Sequence, residues 1–161
     1  MLFRSGNFVA DQNLNIRGHT AQYYTSRLIN QEWVEHGRGE HLLYAAAGDL
    51  TDGADHALIT VYPVLRPDGD WSLLLINKDQ SNSHTVQVQF EMDAGKVHSF
   101  SGPVTMITFG SDQYVWRSVG INSHADPENP PLTRTLSGGS EASFSLPPAS
   151  VTVLRGKAGG R

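Results

Sequence analysis

Leu146-Pro147-Pro148, followed by residues 149–155 (Ala-Ser-Val-Thr-Val-Leu-Arg), constrains the fold more than any other stretch of the chain. The prolines supply no backbone N–H and hold φ at about −65°, so a strand that reaches Leu146 must stop and begin again beyond the corner. In the restarted strand Val151 and Val153, with Ala149 a register step earlier, face one way, while Ser150, Thr152 and Leu154 face the other. A β-branched strand launched from a Pro-Pro corner is expected to be the closing edge of a β-sandwich.

The same period of two runs through most of the chain from residue 40 onward. Strands are expected over 40–45, 56–66, 71–78, 84–91, 97–100, 103–110, 132–136, 141–146 and 149–155. Arg66-Pro67-Asp68-Gly69-Asp70 is a hairpin turn, with proline presetting φ and glycine taking a positive one. Leu73-Leu74-Leu75-Ile76 is apolar throughout, as a central strand covered on both faces must be. Val86, Val88 and Phe90 alternate with Gln87, Gln89 and Glu91, the pattern of a strand with one wet face. Leu74, Ile76, Val86, Val88, Phe90, Val151 and Val153 are therefore expected to point inward.

Ahead of the strands lies one helix. Thr20 is a fitting N-cap, Ala21, Tyr24, Leu28 and Ile29 recur along one face, and His36-Gly37-Arg38-Gly39 supplies stop signals after Trp33. Residues 1–18 show no sustained period despite Phe3, Phe8, Val9, Leu14 and Ile16, and read as a connection. The expected organisation is a connection and helix over 1–35, a β-sandwich domain over 36–157 and a disordered tail over 158–161, with residues 156–157 already tail-like in composition.

Composition excludes several classes of function. The 16 glycines and 8 prolines, with only 17% charged residues, suit a turn-rich β protein. A net charge of −4 without a basic cluster offers no surface for nucleic acid. There is no cysteine, hence no disulfide, thiolate metal site or cysteine nucleophile. No apolar run reaches the roughly 18 residues of a membrane span, and Met1-Leu2-Phe3-Arg4 lacks the apolar core of a signal peptide. The expectation is a soluble chain of undetermined location.

Candidate chemistry is sparse. Asp126 and Glu128 are too close in sequence, between prolines, to straddle a substrate, and read as exposed loop carboxylates; Glu32 and Glu35 read as solvated charges at the helix end. No catalytic residue is assigned. The seven histidines, His19, His36, His41, His56, His84, His98 and His124, are scattered without the i, i+4 spacing of a helical metal pair. Asp49, Asp52 and Asp55 alternate around a glycine but lack the terminal glutamate of a calcium loop, and read as a polar hairpin. No serine sits in a nucleophile elbow and no glycine run cradles phosphate. Neither metal nor cofactor is expected.

One segment stands apart. Residues 111–131 form a long connection holding Tyr114, Trp116, His124, Asp126 and Glu128, the densest mixture of aromatic and polar groups in the chain. Sugars bind against flat aromatic faces with planar polar side chains on their hydroxyls. Trp116 is therefore the expected carbohydrate platform, with Tyr114, His124 and Asp126 as hydroxyl partners. Trp33 and Trp71 are further aromatics, with Trp71 expected to be half packed at the start of its strand.

Residues 20–33 (TAQYYTSRLINQEW), 58–79 (LITVYPVLRPDGDWSLLLINKD), 109–131 and 146–155, in this order, resemble the C-terminal region of bacterial glycoside hydrolases near families 39, 30 and 51. The strand ending in Asn-Lys-Asp, followed by a polar turn and His-Thr-Val-Gln-Val-Gln-Phe, carries most of the likeness. In those enzymes, many acting on xylosides or arabinosides, such a sandwich packs beside a (β/α)8 barrel that holds the catalytic glutamates. Nothing in this chain corresponds to the barrel, so no catalytic residue carries over.

The resemblance implies an all-β antiparallel sandwich with one N-terminal α-helix, serving as a non-catalytic accessory domain beside a barrel and in contact with plant polysaccharide such as xylan. The alternatives are a small stand-alone glycosidase whose site is assembled in an oligomer, and an independent carbohydrate-binding module. The expected partners are carbohydrate and either a catalytic barrel or a second copy. Self-association would cover an apolar surface formed by Tyr24, Leu28, Phe3 and Phe8.

Overall fold

The computed structural model describes residues 3–4, 6–37, 39–93 and 95–159. It is an all-β fold with a single helix. The chain opens with a three-stranded antiparallel sheet of β1 (Phe3–Arg4), β2 (Phe8–Ala10) and β3 (Ile16–His19). Residues 1–18, read from the sequence as a connection without a sustained period, hold these three short strands. Strands this short contain too few alternations to display a period. Their turn is set by Asp11, whose Oδ1 accepts the N–H groups of Asn13 and Asn15 at 2.9 and 3.0 Å.

Helix α1 (Ala21–Arg27) begins where expected, with Thr20 Oγ1 accepting the Tyr23 N–H at 3.3 Å, and continues as a π-helical segment, Leu28–Trp33. The carbonyl of Glu32 near its end accepts from the guanidinium groups of Arg66 and Arg155 at 3.0 and 3.4 Å, where cations are favoured by the helix dipole.

The remaining strands are β4 (Leu42–Leu43), β5 (Ile59–Leu65), β6 (Trp71–Asn77), β7 (His84–Gln87), β8 (Phe90–Asp93), β9 (Lys96–His98) and β10 (Phe100–Phe109). They are followed by β11 (Tyr114–Arg117), β12 (His124–Glu128), β13 (Leu132–Ser137), β14 (Ser143–Leu146) and β15 (Ser150–Ala158). Six of them form one antiparallel sheet in the order β13-β10-β15-β6-β5-β4. The turn between β5 and β6 closes as its sequence requires, with Gly69 at φ 76 and Arg66 N–H donating to the Asp70 carbonyl at 2.9 Å.

β15 is not the closing edge. It lies between β10 and β6, pairing Val153 with Ile107 on one side and Leu74 on the other. Both its faces are covered: Val153, Leu154 and Thr152 have no exposure. Thr152 hydrogen-bonds Thr108 across the strands at 3.2 Å, so this polar side chain is satisfied between two covered strands. Ala149 belongs to the corner, with φ 45. The expected tail is also shorter, because β15 runs on through residues 156–158, pairing Ala158 with Phe100, and Gly159 N–H donates to Ser99 at 2.8 Å. Residues 160–161 lie outside the described residues.

Each face of this sheet has its own core. On one face β7–β14 and β8–β9 form a second β layer, burying Phe90, Phe100, Phe144, Leu146, Trp71, Leu73, Leu75 and Leu154, with Val86 and Val88 at the margin. Trp71, expected half packed, is buried beneath Phe90 at 4.9 Å between ring centres. On the other face Leu74, Ile107, Phe109 and Val153 meet Tyr24 and Leu28 of the helical segments, with Val151 alongside. Each fully buried side chain of this kind contributes about 1.5–3 kcal/mol.

The helix therefore covers its own sheet. Tyr24 is 6% exposed and Leu28 1%, so neither offers the apolar surface expected to drive self-association. Phe8 is half-buried and packs on His19 and Tyr23 at 5.6 Å; the side chain of Phe3 lies outside the described residues. Among the described residues no helix is long and apolar enough to cross a membrane.

Candidate functional site

The segment expected to be a long connection is a β-hairpin. Tyr114 pairs with Glu128, Trp116 with Ala125 and Arg117 with His124, so two steps along β11 match three along β12 and a bulge lies between. β11 and β12 form their own two-stranded sheet. The hairpin escaped sequence reading because its tip, Gly120–Asn122, is a short 3-10 turn and Pro127 sits inside a strand, where proline ordinarily argues against one. The peptide between Asp126 and Pro127 is cis.

This register sorts the four carbohydrate candidates. Tyr114 and Trp116 share one face of β11, since alternate residues of a strand do. Trp116 is half-buried, opposite Ala125. Tyr114 packs beside Phe109 and Tyr24, at 6.1 and 6.3 Å, and its hydroxyl donates to the His19 carbonyl at 3.3 Å. His124 stands across from Arg117 on the other face, exposed, with Nδ1 2.8 Å from the Asn122 carbonyl. Asp126 is exposed, and its backbone carbonyl accepts from Arg117 Nε at 3.1 Å. The fold thus places the two aromatics together and His124 apart from them.

The residue sequence reading misplaced is Glu128. It is no exposed loop carboxylate. Its side chain is 25% exposed, and Oε1 accepts the backbone N–H of His19 at 2.8 Å, lies 3.1 Å from His19 Nδ1 and accepts the Tyr24 hydroxyl at 3.4 Å. An ionised carboxylate is acceptor-only, so the neutral imidazole carries its proton on Nδ1. The ring of His19 stacks on Tyr23 at 4.2 Å. Gly18 makes room for the contact, because a Cβ there would fall 2.5 Å from Glu128 Oε2. Burial, then the charge and hydrogen bond of Glu128, push the Tyr24 hydroxyl above its usual 10.0. No short-range sequence signal links residues 19, 24 and 128.

Other carboxylates serve the scaffold. Glu32, expected to be a solvated charge, pairs with Arg155 at 3.1 Å, and Glu35 accepts the Asp68 N–H at 3.1 Å while its own N–H donates to His41 Nε2 at 2.8 Å. Asp52 organises the polar hairpin at 49–57, accepting from Ala54 and His56 N–H at 2.8 and 2.9 Å, bonds that hold its carboxyl below the usual range. Asp79 does the same for Ser81, Asn82 and His84. Among the described residues no three metal-binding side chains converge. A shallow groove along β5, lined by Ala46, Gly48, Ala57, Ile59, Thr60, Val61 and Tyr62, contains no carboxylate or histidine.

No family model matches the chain, and no curated protein matches it. Solved structures with a similar backbone include the thermostable GH51 alpha-L-arabinofuranosidase from Thermotoga petrophila RKU-1, 13% identical, with a TM-score of 0.42 over 63% of this chain and 19% of that one. A second arabinofuranosidase is 14% identical, with a TM-score of 0.45 over 64% of this chain and 20% of that one. CelM2, a bifunctional glucanase-xylanase from a metagenome library, is 15% identical, with a TM-score of 0.41 over 85% and 22%. The chain thus spans about a fifth of the length of these proteins. At such identities and scores, none of their activities transfers to it.

Proposed function

We propose that this chain is a non-catalytic β-sandwich domain of a glycoside hydrolase, which acts beside a catalytic barrel and touches polysaccharide through the β11–β12 hairpin. The observation that carries this reading is how its carboxylates are used. Glycosidic hydrolysis needs two facing carboxyls, one of them able to give up a proton to the leaving oxygen. Here Glu32 and Asp68 pair with arginines, Asp70 with Lys157, Asp52 and Asp79 close turns, and Glu128 holds His19. These carboxyls support the scaffold, which suits a domain whose chemistry is done elsewhere. The motif order described above supports the barrel as partner, and Tyr114 with Trp116 on one face of the hairpin supports contact with a sugar ring.

Two measurements test this. The purified chain is expected to leave aryl-xylosides and aryl-arabinosides intact; turnover abolished by a single carboxylate substitution would overturn the non-catalytic reading. An antibody against the domain, used on an extract of the source organism, is expected to detect a protein several times larger than 17.6 kDa. A native product of that small mass would instead favour the second reading, a carbohydrate-binding module acting alone. That reading draws support from Tyr24 and Leu28, whose burial lets the domain close both faces of its main sheet unaided.

A further inference from the structure

His19 is gripped by the β11–β12 hairpin at three points. Its N–H donates to Glu128 Oε1 at 2.8 Å, its ring Nδ1 lies 3.1 Å from the same oxygen, and its carbonyl accepts the Tyr114 hydroxyl at 3.3 Å. These bonds join two parts of the fold that share no sheet: the hairpin, and the N-terminal sheet with its helix. We propose that His19 and Glu128 form a proton-dependent latch that docks the hairpin more firmly when the imidazole is charged.

The chemistry follows from the geometry. Neutral His19 already presents Nδ1–H to the carboxylate, so protonation at Nε2 keeps that bond and turns it into an ion pair, which strengthens a hydrogen bond. The groups packed around the ring are one carboxylate and several aromatic side chains. Glu128 faces it from β12; Tyr114 bonds its carbonyl from β11; Tyr23 stacks on it and Tyr24 lies 5.7 Å away on α1; Phe8 tilts against it from β2 at 5.6 Å. Aromatic faces attract a cation. Arg117, on β11, stands on the other face of the hairpin from Tyr114, and further cations stand on the adjoining elements. Arg27, on α1, lies 5.9 Å from the Tyr23 ring centre, and Arg17, on β3, is paired with Asp11 at 2.6 Å. Firmer docking steadies Trp116; any consequence for a glycan there rests on the reading above, whereas the latch itself needs no ligand.

The test is hydrogen exchange of the intact chain at about pH 5 and about pH 8, the ends of the interval in which imidazoles titrate, corrected for intrinsic exchange rates. Amides of residues 114–117, 124–126 and 128 are expected to be about two- to five-fold better protected at the lower pH, the gain of one partly exposed ion pair. Glu128→Gln keeps the side-chain shape but loses the charge, and is expected to abolish the difference while amides of β6 behave as in the parent. Retention of the difference in Glu128→Gln, or hairpin protection that ignores pH while the His19 ring titrates, overturns the latch. Should Glu128→Gln fail to fold, nitrogen NMR of the parent imidazole decides instead: a proton held on Nδ1 throughout the titration supports the latch, and one on Nε2 in the neutral ring refutes it. A glycan-binding failure leaves all these readouts untouched.

Discussion

The side-chain amide of Asn77 donates to the carbonyl of Pro147 at 2.7 Å, joining the end of β6 to the corner from which β15 starts. The same nitrogen reaches Leu146 and Asn82 carbonyls at 3.2 and 3.1 Å, while Oδ1 accepts the Asp79 N–H at 3.0 Å. Asn77 is 2% exposed. The Asn-Lys-Asp and Leu-Pro-Pro motifs are therefore two halves of one junction. Asn77→Ala leaves these carbonyls without the amide donor and is expected to cost about 1–3 kcal/mol, read as a lower urea midpoint at unchanged slope.

Leu28 distinguishes a covered helix from one awaiting a partner. At 1% exposure among Tyr24, Leu74 and Val153, it is a core residue, and Leu28→Ala is expected to destabilise the isolated chain by about 2–5 kcal/mol. A change below about 0.5 kcal/mol, ordinary for a surface site, would mean that the helix does not pack on this sheet.

Acid should weaken the polar turn after β6. The N–H of Ser81, then the side chains of Asn82 and His84, hold the carboxyl of Asp79 well below its ordinary 3.8. Since the folded value lies under the unfolded one, the unfolded chain takes up this proton first as pH falls. The stabilisation is present above about pH 4 and is lost as pH drops through the folded value. Asp79→Asn is expected to flatten this acid limb in urea titrations, and an unchanged limb would show that the turn contributes nothing to it.

Alkali acts on a different group. The folded Tyr24 hydroxyl titrates above its ordinary 10.0 because it is buried and faces Glu128. Stability from the neutral phenol is complete below pH 10 and disappears as pH rises through the folded value, since the unfolded chain gives up the phenolic proton more readily. Tyr24→Phe is expected to remove part of this alkaline loss, and tyrosinate absorbance of the parent should rise later than in a denatured control.

Where the signal is local, sequence and fold agree. Leu73–Ile76, the Pro-Asp-Gly turn and the Thr20 cap all express local chemistry that a short window contains. The misses share another cause. β15 is central because β10 pairs with it across about fifty residues, and its buried Thr152 finds Thr108 only in the folded sheet. β1–β3 are too short to show a period, and Pro127 disguised β12. At the candidate site, residue types were readable but facing was not. A bulge decides which residue of β12 meets Trp116, and the contact of Glu128 with His19 spans 109 positions.

That facing yields the sharpest test of the hairpin. If a sugar ring lies on Trp116, it covers the face shared with Tyr114 and Ala125, whereas His124 stands with Arg117 on the other. Loss of a stacking aromatic at the centre of a binding surface typically costs more than 1 kcal/mol. Calorimetric titration with xylo- and cello-oligosaccharides is therefore expected to show about a ten-fold weaker affinity for Trp116→Ala, a loss of about 1.4 kcal/mol. His124→Ala should bind as the parent does, because its side chain projects away from the platform. Equal weakening by both substitutions would mean that the ligand wraps the hairpin rather than lying on one face. Binding unaffected by Trp116→Ala would move the glycan off the hairpin altogether and leave the indole as packing between β11 and its neighbours.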